Sequence, residues 1–287
     1  MGRFALMLLV GGALALQPRP GAAAAPETEE GFRLLYELRF EQARSRFLTW
    51  QAAHPGDALG YAWLAASYLF EEFYEQGVLT SEFFLDDKRL LGGIRGRPNE
   101  QRGSAFRVAA IKAEELAQQQ LRIDSRNSEA LLALAVTTGM RADYTGLIEG
   151  RPLESLRLTR EAERYAENLL SARPDVADAY VTLGAANYII GSLPAHKRFF
   201  LWFGGIHGDR LRGVMQLQMA AMDGQYLRPF AKVLLALVAR REDEPELARE
   251  LLEELNAEFL QIPSSAANSR CWRRSRPQWF AKCPRAP

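Results

Sequence analysis

An all-α fold, with antiparallel helix pairs stacked into an α-solenoid, is what this 287-residue sequence predicts. Three observations lead there. A small residue recurs with an apolar or small one four positions later and a helix-stopper slot twelve positions later: Ala43/Phe47/Pro55, Ala113/Ala117/Ser125, Ala162/Ala166/Pro174 and Ala248/Leu252/Leu260. After the first three sets a second pattern follows at fixed offsets: Tyr61/Leu64/Ala65/Tyr68, Leu131/Leu134/Ala135/Thr138 and Tyr180/Leu183/Gly184/Asn187. No segment shows the apolar–polar alternation between hairpin turns that strands require. Small residues at helical spacing let two helices approach closely while large ones fill the groove between them. A unit of this kind cannot bury its apolar face alone and must stack on neighbours.

Helices are predicted at about 27–37, 40–53, 58–75, 105–123, 127–140, 155–172, 176–190, 208–223, 227–241 and 245–258. Pro55-Gly56-Asp57 stops the second and caps the third, and Pro174-Asp175 does the same further on. Asp124, Ser125 and Asn127 separate two helices without proline. Pro245 suits a first helical turn, where a missing N–H costs nothing. His54, ahead of Pro55, is expected to complete a terminal turn.

The pattern resembles the tetratricopeptide repeat (TPR) over most of the chain. Residues 57–68 and 177–187 look like leading helices of such repeats, and a weaker set sits at Gly213/Leu217 with Ala231, Leu234 and Val238. The anchors at 43, 113, 162, 213 and 248 are 70, 49, 51 and 35 residues apart. The repeat period is about 34 residues, so only the last interval is standard. The resemblance implies a right-handed solenoid of about five helix pairs, enlarged between the two helices of a pair.

Residues 1–24 have the features of a secretory signal: Arg3, an apolar run from Phe4 to Leu16, and small residues Gly21 to Ala25. The run is short for a bilayer span, so no transmembrane segment is expected in the mature chain, and no cysteine near the cleavage point suggests a lipid anchor. A periplasmic or secreted repeat domain over 25–261 follows. From residue 263 onward the tail has six basic residues and no acidic one; without these and the leader's Arg3 and Arg19, 28 basic residues face 35 acidic ones. An acidic body argues against nucleic acid, which needs a basic stripe. Both cysteines, Cys271 and Cys283, lie in the tail, open to a disulfide or to two incidental thiols.

Helical periodicity and acidic residues both stop after Phe259, and residues 262–287 are expected to be a disordered basic tail. The alternative is a frameshift product. A neighbouring frame can encode Pro-Ala-Asp-Pro-Leu-Phe-Arg-Arg-Glu-Leu-Ala-Leu-Leu from position 260, which restores the stopper proline and resumes an amphipathic helix.

The extra residues fall within the pairs. The first insert, 76–104, and the third, 191–207, echo each other: Lys88-Arg89-Leu90-Leu91-Gly92-Gly93-Ile94-Arg95-Gly96 against Lys197-Arg198, five apolar residues, then Gly204-Gly205-Ile206-His207-Gly208. The glycines permit positive φ before the returning helix. The second insert, around 143–149, is shorter and lacks the echo. Inserts at equivalent places project from one edge and so can pack into one lobe. Their aromatics Phe83, Phe84, Phe199 and Trp202, with Lys197 and Arg198, either cap exposed core, line a ligand groove, or touch a membrane. The last reading is disfavoured because the apolar stretch is short.

Catalysis finds little support. His54, His196 and His207 lack metal-ligand partners at helical or loop spacing, and no nucleophile elbow or phosphate loop occurs. Glu71-Glu72 and Asp86-Asp87 are expected to be solvated charges. No cofactor or metal is implied. By the resemblance, the leading helices form a concave surface for a protein or peptide segment, with Leu69, Phe70, Phe73, Tyr74, Tyr144 and Tyr188 on it or its rim. Their alternative is inter-helix core. The competing function is a small-molecule or lipid carrier, distinguished by a closed apolar cavity in the insert lobe instead of an open groove.

Overall fold

The computed structural model describes residues 26–94, 96–195, 198, 199, 202 and 205–260. Residues 1–24, expected to be a secretory signal, and 262–287, expected to be a disordered tail, fall outside the described residues. Among those described, the chain is all-helical and has no strand. No described helix is long and apolar enough to cross a membrane.

The long helices are α1 (Pro26–Tyr36), α2 (Phe40–Ala53) and α3 (Ala58–Glu75), then α6 (Glu100–Ile123), α7 (Ser128–Asp143), α8 (Pro152–Ala172) and α9 (Ala179–Gly191), and finally α10 (Arg210–Asp223), α11 (Arg228–Arg241) and α12 (Pro245–Leu260). They lie close to the predicted spans. Two short helices, α4 (Ser81–Leu85) and α5 (Asp87–Gly92), occupy the first insert. Side-chain caps explain the starts: Asp57 accepts from the Leu59 N–H, Asn127 from Ala130 and Asp209 from Arg212. Helix α6 begins five residues earlier than expected because Asn99 caps it, accepting from the Arg102 N–H at 2.9 Å. Helix α7 runs past its predicted end into a π turn, Tyr144–Ile148, that forms the second insert. His54 closes the end of α2, its N–H donating to the Trp50 carbonyl and its ring stacked on the Trp50 ring at 3.6 Å.

The repeated small residues do lie where helices meet. Ala43, Ala113, Ala117, Ala162 and Ala166 are wholly buried. Each long helix packs on its neighbours in sequence, and α3 and α7 also touch the second helix along, α7 and α9 respectively. At the α9–α10 crossing the backbones nearly touch: a Cβ on Gly213 would sit 2.5 Å from the Tyr188 nitrogen and 2.9 Å from the Gly184 carbonyl oxygen.

Contacts also join positions far apart in the chain. The Tyr36 hydroxyl donates to the Tyr226 carbonyl at 3.2 Å, and the Tyr226 ring lies 5.7 Å from Phe32 and 5.2 Å from Trp63. Tyr36 also meets Phe259, 5.4 Å away. The two ends of the described helical array therefore meet. Asp178 holds the turn between α10 and α11, accepting from the N–H groups of Gln225, Tyr226 and Leu227.

One expectation is corrected. Glu72 is not a solvated charge but 1% exposed, accepting from Arg102 Nη1 at 2.8 Å, the Asn99 N–H at 3.1 Å and Gln76 Nε2 at 2.9 Å. Its neighbour Glu71 bridges Arg44 and Arg102. Carboxylates this enclosed persist because cations and N–H donors replace the lost water.

Candidate functional site

The two inserts that echo in sequence share a backbone device. Gly93 and Gly205, at corresponding places, have φ of 71° and 70°, a region that disfavours side chains. Gly93 also needs to lack a Cβ, which would lie 2.6 Å from the Leu147 carbonyl oxygen. That close passage lets the Ile94 N–H donate to Leu147 at 2.8 Å, so the first insert docks on the π turn of the second. The first insert also reaches α11: Arg241 Nη1 donates to the Phe84 carbonyl at 2.5 Å.

Beneath this contact lies an apolar cavity. Helix α9 and the turn after it contribute Ala185, Tyr188, Ile189 and Ser192, spaced i, i+3, i+4, i+7. Helix α11 contributes Leu234, Leu237, Val238 and Arg241 at the same spacing. Two helices thus present one face each to the cavity. Leu217 of α10 and Leu193 complete the sides, and Phe84 and Leu90 of the first insert close the top. The empty space is about 570 Å³, counted out to the open mouth. An apolar lining with a few polar groups suits an apolar ligand with a polar end.

Polar groups are few and sit together. The Tyr188 hydroxyl donates to Glu242 Oε1 at 2.9 Å. Burial, followed by that hydrogen bond, pushes its pKa up to about 12, so it stays neutral. Ser192 Oγ is buried near the same hydroxyl and makes no hydrogen bond of ordinary geometry among the described atoms. With Arg241, these groups can orient one polar end of an otherwise apolar ligand.

The sequence-nominated residues divide clearly. Tyr188 and Phe84 are brought together in the cavity wall. Phe83 is buried beside Phe84, the rings edge to face at 5.7 Å. Leu69 and Phe73 are buried in the main core, where Tyr74 packs on Phe40 at 5.7 Å. Phe70 meets Phe230 of α11 edge to face at 5.3 Å, and Tyr144 stacks on Phe106 at 4.9 Å. Phe199 and Trp202 lie at the surface, 56% and 58% exposed, and do not line the cavity. Arg198 donates to the Gly191 carbonyl, away from the cavity; Lys197 lies outside the described residues. Sequence reasoning missed Leu90, Ile189, Leu237 and Arg241 as wall residues. The matching i, i+3, i+4, i+7 faces of α9 and α11 were the available signal.

No family model matches this chain, and no curated protein matches it.

Proposed function

We propose that this chain is a non-enzymatic binding protein of the TPR-like kind, a right-handed α-solenoid that holds an apolar ligand beneath its first insert. One observation carries the reading: empty apolar space opens where Phe84 and Leu90 of the insert face Tyr188, Leu234 and Leu237. Packing of each long helix on its sequence neighbours, with the recurrent alanines buried between them, supports the solenoid. The ligand class is an acyl-like chain with one polar end, since nine of the twelve wall residues are Phe, Leu, Ile, Val or Ala. The leader at 1–24 supports a periplasmic or secreted carrier.

The test is binding of an unlabelled medium-chain fatty acid, followed by isothermal titration calorimetry. Saturable binding by the wild type that is lost in Ala185→Leu/Leu237→Phe, with helical circular dichroism unchanged, supports the reading. Equal binding by both proteins removes it.

A peptide or protein partner is the second reading. It rests on an open depression between α2 and α3, lined by Arg44, Leu48 and Tyr68, in which Leu48 is 50% exposed. Leu48→Asp should abolish capture of such a partner while leaving fatty-acid binding intact.

A further inference from the structure

The outer face of α10 has an exposed apolar stripe that reads alike from either end. Leu211, Met215, Met219 and Met222 are 74%, 57%, 40% and 67% exposed. At about 100° per residue these positions fall within roughly an 80° arc of the helix. Gly213, Gln216, Leu217 and Ala220 are buried on the other side. Single exposed apolar residues are ordinary, but a contiguous set with one orientation marks a contact surface. Two exposed charges, Arg212 in the first turn and Asp223 at the last residue, stand within roughly 40° of one edge of the stripe. Each is at the unfavourable end of its own helix, whose N-terminus is partly positive and whose C-terminus is partly negative. Arg210 turns away to pair with Glu242 at 3.1 Å, and Asp209 caps the helix by accepting from the Arg212 N–H. Arg212 also acts on Glu163 of α8.

We propose that this face is where two copies of the chain associate, α10 packing antiparallel on its twin about a twofold axis. Turned end for end about the helix centre, Met215 lies opposite the partner's Met219 and Leu211 opposite the partner's Met222. A twofold between antiparallel helices also brings like edges together. Arg212 therefore comes within about 2 Å, along the axis, of the partner's Asp223, and the symmetry repeats the pair at the other end. The charges that oppose the dipole of their own helix then complement the partner's: Arg212 sits at its negative end and Asp223 at its positive end. This complementarity selects a second copy, because each feature of the face finds its counterpart in the same face. One positive and one negative charge along the edge leave nothing to draw it to an anionic membrane. Methionines, unbranched and adaptable, suit a seam between identical surfaces. One helix pair is a small interface, so the association belongs to the weak, micromolar class. The proposal is independent of the cavity, whose α10 wall is Leu217 on the opposite side of the helix.

The experiment is sedimentation velocity of the full chain from micromolar to hundreds of micromolar, with a reductant present so that Cys271 and Cys283 cannot link copies. Wild type should pass from monomer to dimer. Met215→Ser/Met219→Ser should stay monomeric with an unchanged helical signal, since both side chains are exposed and neither fills the core. Arg212→Asp alone, or Asp223→Arg alone, sets like charges together at both ends of the pair and should weaken dimerisation about tenfold. The two single variants mixed in equal amounts should regain a heterodimer of wild-type affinity, because opposite charges meet again at each end. A wild type that stays monomeric throughout overturns the proposal. So does a dimer that persists in the methionine variant, or a pair of charge variants that mixing does not rescue.

Discussion

The guanidinium of Arg241, at the end of α11, donates to the main-chain carbonyl of Phe84 in α4 at 2.5 Å, joining positions 157 apart. This bond ties the first insert over the cavity. Arg241→Met keeps an unbranched stem but removes the donor, leaving a partly buried carbonyl without it. A lost hydrogen bond to a charged group is worth about 1.5–3 kcal/mol. Amides in residues 81–94 should therefore exchange with solvent at least about tenfold faster, while those of α6 and α7 keep their rates. Hydrogen exchange with mass spectrometry checks it, and fatty-acid release should speed in parallel.

Glu72 anchors the start of α6 from inside α3. Its carboxylate accepts from Arg102, the Asn99 N–H and Gln76. Glu72→Ala leaves Arg102, whose side chain is 17% exposed, without its closest partner, and should cost about 3 kcal/mol in urea unfolding. Combining it with Arg102→Leu should recover much of that loss, since an apolar pair leaves no enclosed charge.

Two glycines in helix interiors should respond oppositely to alanine. A Cβ on Gly213 meets backbone on the facing helix at 2.5 Å, so α9 and α10 must separate. The loss should be about 1–3 kcal/mol despite better helix propensity. On Gly139, in α7, the nearest atom is the Ala162 Cβ at 4.0 Å. Gly139→Ala should therefore stabilise by about 0.5–1 kcal/mol. Thermal melts of the two variants separate close approach from mere presence of glycine.

Stability should also depend on Glu163 in α8. Burial, then the Glu167 carboxylate, pushes its pKa from 4.5 to about 7. The folded chain thus holds this proton to higher pH than the unfolded chain does. Its contribution is neutral below about 4.5, turns unfavourable as pH rises towards 7, and is fully unfavourable above 7. Glu163→Gln should stabilise by on the order of 1 kcal/mol at pH 8, allowing for the water this side chain still meets, and change little at pH 4. Melting temperatures at the two pH values check the sign.

Helix positions were legible because their causes are local. Asp57, Asn127 and Asp209 cap within three residues, and the alanine anchors act across one turn of helix. The echo between inserts was legible as well, since Gly93 and Gly205 meet the same demand for positive φ. The early start of α6 was missed, although Asn99 offered the same kind of cap as Asn127. The π turn at Tyr144–Ile148 was missed for a different reason: it meets partners distant in sequence, among them the Ile94 N–H of the first insert, which donates to the Leu147 carbonyl.

By itself the sequence determined that this chain is helical, where most helices begin and end, and which small residues stand between them. Spacing along one chain segment carries that information, because backbone hydrogen bonds and caps reach only a few residues. Only tertiary structure decided that Tyr188 would share a cavity with Phe84 and Leu237 while Phe70 met Phe230 instead. It also decided that Tyr36 would reach Tyr226, and that Glu72 would be enclosed with Arg102. Apolar and ionic attraction have no preferred partner in sequence; the meeting of distant helices supplies one.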